Sequence, residues 1–260
     1  MKGPLARWYR EHGRHDLPWR ATRDPWAVLV SEVMLHQTQA PRVATAWPPF
    51  MEQFPTPLVM ATAGPGAVIQ AWDRLGYPRR ARRLWDAAVR ITESGWPDDL
   101  TELPGIGRYT ARAIACQAGG VDIPAIEVNI RRVVERCVGS RLTDRGAEDA
   151  SVGLGAPLRG RDRLLALMDV GAELCRPRAP RCSECPLRRR CATRGALPHE
   201  ASRPKQAKFA GSFRQRRGLV MSRLRVGPTP IRDLDAEALA SLVEDGLAES
   251  GNGRARLPRS

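Results

Sequence analysis

Four of the six cysteines lie within seventeen residues, in the spacing C-x6-C-x2-C-x5-C. This cluster limits the fold more than any other feature does, because four thiolates this close can surround a metal centre. Two disulfides or a zinc site are the alternatives, although disulfides are rare inside cells and zinc usually uses two short-spaced cysteine pairs. Iron–sulfur clusters accept more varied spacing, so we expect a [4Fe–4S] cluster. Its ligands would be Cys175, Cys182, Cys185 and Cys191.

Basic residues exceed acidic residues in this chain. Forty-two Lys and Arg stand against twenty-eight Asp and Glu, which gives a formal net charge of +14. Such a surplus produces a positive field over much of the surface, and nucleic acid is the commonest polyanion in a cell. Residues 176–190 alone contain six arginines and one acid, Glu184. We therefore expect the surface around the cysteines to contact phosphates.

Hydrophobic patterning argues against a membrane location. No apolar run approaches the roughly 18 residues that a membrane-spanning helix needs. The first sixteen residues are interrupted by charges and lack the apolar segment of a secretory signal. These patterns predict a cytoplasmic protein, associated with the nucleoid and not with a membrane.

Helical periodicity dominates the first 195 residues. Asp24 and Pro25 form a helix-start signal before an apolar segment that extends to Gln39. No pair of alternating runs is joined by a hairpin turn, so the pattern predicts an all-α fold. Further segments with apolar residues at three- and four-residue spacings cover 65–72, 80–93, 110–118, 128–138 and 162–174.

The composition changes after Cys191. Residues 196–217 are basic and contain few large apolar side chains, which is typical of a linker. Residues 218–260 regain a pattern, with a helical segment over 235–247 and a short strand at 254–258. We expect a small, winged-helix-like C-terminal extension.

A glycine-containing turn joins two helical segments at residues 103–110. Its two glycines, two positions apart, let the backbone turn sharply and bring N–H groups at the start of the next helix close to an anion. A helix-hairpin-helix grips a DNA phosphate in this way without reading sequence; an ordinary tight helix–helix turn is the alternative. The residues expected to hold the backbone are Leu103, Pro104, Gly105, Ile106, Gly107, Arg108 and Thr110.

Several motifs follow one another in an order that resembles a known family. L-P-G-I-G-R-Y-T-A at 103–111, P-A-I-E-V-N-I-R-R-V at 124–133 and the four cysteines are similar to the helix-hairpin-helix DNA glycosylases that carry an iron–sulfur cluster. Within that endonuclease III-like superfamily, D-L-P-W-R at 16–20, S-E-V-M-L-H-Q-T-Q at 31–39 and L-G-Y at 75–77 resemble the MutY family of adenine DNA glycosylases.

The resemblance implies a two-lobed fold, with an N-terminal helix in 1–20 that packs against the cluster domain. A six-helix domain with the hairpin would cover 21–135, and the cluster domain 136–195. It also implies base excision repair on double-stranded DNA that contains adenine mispaired with 8-oxoguanine or guanine. We expect a monomer, whose abasic product passes to downstream repair enzymes.

Removing a purine from DNA needs an acid that protonates the departing base and an anion that stabilises the electron-poor sugar. Glu32 lies in an apolar stretch, where desolvation makes a protonated carboxyl easier to keep. A surface glutamate on an amphipathic helix is the alternative. The resemblance implies that Glu32 protonates the adenine and then helps to handle water.

The second acid departs from the family pattern, because Glu127 stands where the relatives have aspartate and Val128 is bulkier than usual. Three interpretations are open: Glu127 retains the electrostatic role, the substrate has shifted, or the enzyme is weakened. We prefer the first, because the site needs an anion above all. Asn129 is expected to hold that site by hydrogen bonds.

Tyr109 bears on the type of reaction. Family members that also cut the strand have a lysine at this position, whose amine forms a Schiff base with the sugar. A phenol cannot do so. The resemblance therefore implies a monofunctional glycosylase that hydrolyses the bond with water.

The resemblance also implies how the target base and its partner are held once the base leaves the stack. For Trp19 in the pocket, a plain core role is the alternative. The base pocket would comprise Leu17, Trp19, Arg20 and Asp169. The wedge and the contacts to the opposite base would come from Gln37, Thr38, Leu75 and Tyr77.

Adenine glycosylases commonly carry a further C-terminal domain that helps to recognise 8-oxoguanine. Sixty-five residues follow Gly195, and they show no strand-rich pattern of that kind. We expect lesion discrimination to depend on the catalytic unit. A thymine or uracil mismatch glycosylase and a catalytically silent DNA-binding protein remain the competing hypotheses.

Overall fold

A computed structural model describes residues 3–197 and 208–259. The predicted helical class is confirmed, and the strands among the described residues form one small sheet near the C-terminus. None of the described helices is long and apolar enough to cross a membrane. The helices are α1 Pro4–His12, α2 Pro25–Leu35, α3 Ala40–Gln53, α4 Pro57–Trp72, α5 Arg79–Ser94, α6 Arg108–Gln117, α7 Val128–Val138, α8 Asp144–Gly155, α9 Gly160–Asp169, α10 Phe213–Val226 and α11 Ala236–Glu244; the strands are β1 Thr229–Pro230, β2 Glu249–Gly251 and β3 Arg254–Arg256.

Helix α2 begins as the sequence predicts and ends early. An Oδ atom of Asp24 accepts a hydrogen bond of 3.0 Å from the backbone N–H of Ala27, and Pro25 is the first helical residue. The expected continuation to Gln39 is wrong, because the helix stops at Leu35. Gln37 has a φ of 60°, which an α-helix cannot include.

Helices α3 and α8 lie where no helical pattern was found in the sequence. Helix α3 contains Pro48 and Pro49, which remove backbone donors and mask the pattern. Helix α8 starts at Asp144, because the side chain of Thr143 accepts a hydrogen bond from the N–H of Gly146 and caps the helix. Helix α4 is kinked at Gly64, whose φ of 81° is not helical.

The chain folds into two compact units, each made of two separate segments. The first unit comprises Met1–Glu32 and Gly107–Ser202; the second comprises Val33–Ile106 and Arg203–Ser260. The expected boundaries at 20, 135 and 195 divide the chain into consecutive domains, whereas each of these units is made of two segments that are separated in the sequence. The consecutive boundaries stay a prediction.

The first unit has one apolar core. Leu5 and Tyr9 of α1 share it with Val133 of α7, Leu165 of α9 and Leu187 of the cysteine-containing segment. Helix α1 therefore shares its core with α7, α9 and the cysteine-containing segment. The same core contains the buried Cys116 and Cys137, the two cysteines outside the cluster.

The C-terminal segment consists of α10, β1, α11 and the β2–β3 ribbon. The sheet is antiparallel with the order β1-β3-β2, and Ser250 faces Ala255 across the ribbon. Residues 198–207 of the expected basic linker lie outside the described residues. Helix α10 begins at Phe213, inside the interval expected to be a linker, because Ser212 caps it by accepting a hydrogen bond from the N–H of Gln215.

Candidate active site

Glu32 on α2 is a buried acid, only 4% exposed. Its Oε1 accepts a hydrogen bond of 2.8 Å from the side-chain amide of Gln117, and the hydroxyl of Tyr109 also donates to its carboxyl group. Burial raises the pKa of Glu32 to about 7, although both hydrogen bonds oppose that rise. The charge of Glu127 raises this pKa further, and that of Arg20 lowers it. The carboxyl group can therefore hold or release a proton near neutral pH.

Glu127 is the N-cap residue of α7, and each of its two carboxyl oxygens accepts a hydrogen bond. Oε1 accepts a hydrogen bond of 2.9 Å from the N–H of Ile130, and Oε2 accepts one of 3.0 Å from the Asn129 amide. Burial raises the pKa of Glu127, and the hydrogen bonds from Asn129 and Ile130 oppose that rise. The longer side chain thus still places an acid at a helix N-terminus, where the helix dipole favours a negative charge.

Asn129 connects this acid to the segment that carries the cysteines. Its Oδ1 accepts a hydrogen bond of 2.8 Å from Arg132. The same guanidinium donates to the carbonyl oxygens of Gly171 at 2.7 Å and Cys175 at 2.6 Å. The acid at the start of α7 and the first of the four cysteines are therefore joined by side-chain hydrogen bonds.

Tyr109 is the second residue of α6, and the charges of Glu32 and Glu127 both act on its hydroxyl group. Burial raises the pKa of its hydroxyl well above the ordinary value, and the charges of Glu32 and Glu127 raise it further. Tyr109 therefore stays a neutral O–H donor at any pH at which the protein works. The structure brings Glu32, Glu127, Asn129 and Tyr109 together, and their roles in catalysis stay predictions.

The expected base pocket is dominated by an ion cluster. Asp169, at 0% exposure, accepts hydrogen bonds of 2.7 Å from both terminal nitrogens of Arg20 and one of 2.6 Å from the Nε of Arg14. Burial would raise the pKa of Asp169, but the hydrogen bonds and charges of these two arginines lower it overall. Leu17 and Trp19 are both buried. Asp169 thus acts as a permanent anion that fixes the segment 14–20.

The four residues expected to form the wedge lie in the second unit, on two loops that Arg80 joins. The hydroxyl of Thr38 donates to the carbonyl of Leu75 at 3.4 Å. Tyr77 is 46% exposed, and Leu75 is buried. Tyr77 and Gln37 both have positive φ values, 49° and 60°, which are rare for residues other than glycine. The loops are therefore held in conformations that need support.

Arg80 supplies that support, and the sequence did not reveal it. Its guanidinium donates to the carbonyls of Val33, Met34 and His36, and on the other side to Leu75 and Gly76. It also donates to the hydroxyl of Thr38 and stacks on Trp72 and Tyr77. Nothing in the sequence separates Arg80 from Arg79, Arg82 and Arg83, since all four belong to one basic run.

The hairpin residues lie where the chain passes from the second unit to the first. In the second unit, Leu103 and Ile106 are buried, and Gly105 has a φ of 79° with Arg83 about 3.0 Å from where a Cβ would be. A larger residue at position 105 would be strained by the positive φ and would press on the side chain of Arg83. In the first unit, Gly107 precedes α6 and has no other atoms within 4 Å of a Cβ position, which leaves its backbone open to approach.

The remaining hairpin residues divide between surface and core. Arg108 is exposed and pairs with Glu148 at 2.7 Å. Thr110 is buried in the first turn of α6. Pro104 lines a small cavity of the second unit with Gly105, Ile106 and His36.

The four clustered cysteines are free thiols that line one common cavity. Arg136 donates to the Sγ of Cys175 at 3.5 Å, and the N–H of Arg194 donates to the Sγ of Cys191 at 3.4 Å. Donors directed at sulfur favour the thiolate form that an iron–sulfur cluster requires, so these residues fit such a group. Within residues 3–197 and 208–259, no three His, Cys, Asp or Glu side chains are arranged to hold a metal ion; in a cluster, each thiolate bonds its own iron.

Gln117 is a second residue that the sequence analysis missed. It is the last residue of α6, and it is buried together with Glu32. A glutamine in a helical pattern carries no signal of its own in one sequence. Only the approach of α6 to Glu32 reveals it.

Comparisons with known proteins show the family and the fold of this chain. A family model described as "HhH-GPD superfamily base excision DNA repair protein" matches residues 30–151. The chain is 40% identical over 279 residues to the adenine DNA glycosylase of Mycolicibacterium smegmatis, covering 97% of this chain and 94% of that protein. A solved thermostable thymine-DNA glycosylase has a TM-score of 0.67 at 26% identity, covering 74% of this chain and 93% of its own. An endonuclease III trapped on DNA shares the fold, with a TM-score of 0.61 at 22% identity over 73% of this chain and 92% of its own.

Proposed function

The chain belongs to the adenine DNA glycosylases of the HhH-GPD superfamily of base excision DNA repair proteins, and on this premise we propose that it hydrolyses the N-glycosidic bond of adenine mispaired with 8-oxoguanine or guanine in double-stranded DNA. The observation that carries the proposal is Glu32, a buried acid with a pKa raised to about 7. A general acid works best when its pKa lies near the working pH.

In the proposed reaction, Glu32 gives its proton to the departing adenine as the bond between C1′ and N9 breaks. The bonding electron pair leaves with the base, so the sugar becomes electron-poor. Glu127 provides a negative charge near that sugar, with its carboxylate fixed by Ile130 and Asn129. Water then adds to C1′ and loses a proton to the ionised Glu32, which restores the acid and leaves an abasic site.

Tyr109 supports the hydrolytic course. Its hydroxyl donates a hydrogen bond to the carboxyl group of Glu32, and a phenol offers no amine for a Schiff base with the sugar. We therefore assign strand cleavage by β-elimination to other enzymes. The abasic product would pass to them.

The hairpin and the arginine-rich cysteine segment are proposed to bind the DNA backbone. The open backbone at Gly107, at the start of α6, suits a phosphate. Endonuclease III-like members of the family generally carry a [4Fe–4S] cluster, and Cys175, Cys182, Cys185 and Cys191 would hold it here. When bound, the cluster cross-links this segment and presents its arginines. We propose a monomer in the cytoplasm, at the nucleoid.

Single-turnover base release from duplexes containing A:8-oxoguanine, A:G, T:G and U:G tests the proposal. We expect the two adenine pairs to be cleaved and A:8-oxoguanine to be the fastest. The likeness to a thymine-DNA glycosylase makes T:G the main competitor. Faster release from T:G or U:G would contradict the adenine assignment. If no base were released from any duplex, the protein would be a DNA-binding protein without glycosylase activity.

A further inference from the structure

Gln117 is a buried amide that no part of the proposed chemistry uses. It closes α6, whose second residue is Tyr109. Their separation of eight positions corresponds to about 12 Å along a helix axis. Side chains from the two ends of one helix therefore converge on Glu32.

The backbone at Gln117 is held as firmly as its side chain. The guanidinium of Arg161 donates to the carbonyl oxygen of Gln117 at 2.9 Å, to that of Thr22 at 2.9 Å and to that of Arg20 at 2.6 Å. A side chain on such a fixed backbone, with its amide bonded to Glu32 at 2.8 Å, has little freedom to turn away. The amide is thus a rigid partner for the acid.

The chemical type of this partner matters. An amide donor orients a carboxyl group without adding a positive charge, whereas Arg20 and Arg14 keep Asp169 ionised. The other groups that act on Glu32 are the hydroxyl of Tyr109 and the charges of Glu127 and Arg20. Among its two hydrogen-bond donors, neither can form an ion pair with Glu32.

We propose that Gln117 is a positioning residue for Glu32: its buried amide fixes the orientation of the carboxyl group by a hydrogen bond that adds no charge. The inference rests on the proposed role of Glu32 as the acid. An amide is suited to this task because the carboxyl group stays in place while its proton can still leave and return.

The test replaces Gln117 with methionine, which has a similar length and no donor. The carboxyl titration of Glu32 is followed in the free, full-length protein by ¹³C NMR of labelled glutamate, and Glu32→Gln identifies the signal. Ser151→Ala is the matched control, because the Ser151 hydroxyl is also buried in the first unit and donates to the Glu148 carbonyl at 2.7 Å, away from Glu32. Single-turnover adenine release is measured on the same samples from pH 5 to 9.

In Gln117→Met we expect the titration midpoint of Glu32 to rise by about half to one unit, because the carboxylate loses a donor. We also expect base release below the midpoint to fall about five- to tenfold, because the carboxyl group can rotate. Ser151→Ala should leave the midpoint of Glu32 unchanged. An unchanged midpoint in Gln117→Met overturns the inference. Because the titration needs no DNA, it decides the role of Gln117 separately from the proposed reaction.

Discussion

The first unit encloses two carboxyl groups in very different surroundings, Glu32 on α2 and Asp169 at the end of α9. Glu32 meets an amide and a phenol, and burial raises its pKa to about 7. Asp169 meets two guanidinium groups, and its pKa falls below the ordinary value despite burial. The difference shows that burial alone does not decide the charge of an acid; the charge of its partners does. One carboxyl group is suited to exchange a proton and the other to fix a segment.

The largest expected effect is on catalysis by Glu32. Glu32→Gln keeps the size of the side chain and removes the proton it can give, so single-turnover adenine release should fall by about 10²- to 10⁴-fold. Binding to the duplex should persist, as measured by fluorescence anisotropy. A variant that keeps more than a tenth of the rate would remove Glu32 from the role of acid.

Asp169→Asn should affect stability most, because it leaves Arg20 and Arg14 without their buried counter-charge. We expect a loss of about 3–5 kcal/mol in the free energy of unfolding by denaturant. The control is Asp144→Asn. The exposed carboxylate of Asp144 pairs with Arg131, and its loss should lower the free energy of unfolding by less than about 1 kcal/mol. Equal losses in the two variants would mean that Asp169 is no more important than a surface acid.

The sign of the pH effect on Asp169 follows from its lowered pKa. Its stabilising contribution is present above the ordinary value of 3.8 and is lost as the pH falls through the lower folded value. The difference in stability between wild type and Asp169→Asn should therefore shrink in acid.

Glu127 tests whether a third acid behaves like Glu32 or like Asp169. Glu127→Gln keeps a side-chain oxygen that can cap α7 and removes the negative charge, so base release should fall by about tenfold to 100-fold with little change in thermal stability. Glu127→Asp should hold or raise the rate. An unchanged rate in Glu127→Gln would exclude this residue from the mechanism.

The pH dependence of the wild type tests both acids without any substitution. Glu32 must be protonated, so the rate should fall about tenfold per unit as the pH rises above its pKa of about 7. Glu127 must be ionised, and because burial raises its pKa, the rate should also fall on the acid side. The single-turnover profile should be bell-shaped, and a rate that stays constant to pH 9 would contradict the assignment of Glu32.

Local signals predicted much of the fold and part of the site. The start of α2 at Pro25 and α7 over 128–138 follow from caps and periodicity, which act between residues close in the chain. Helix α3 escaped prediction because Pro48 and Pro49 mask it, and packing overrides that local penalty. The loop that contains Gln37, whose φ is positive, is bonded at the neighbouring His36 carbonyl by Arg80, which is distant in sequence.

By itself, the sequence determined the helical class, the four spaced cysteines, the glycine at position 105 and the acid at position 32, because these depend on neighbouring residues or on an ordered set of motifs. Only the tertiary structure decided that Gln117, 85 positions from Glu32, meets that acid. It also decided that Arg20 meets Asp169 across 149 positions. The proton of a buried carboxyl group responds to the groups folded around it, and those groups come from remote parts of the chain.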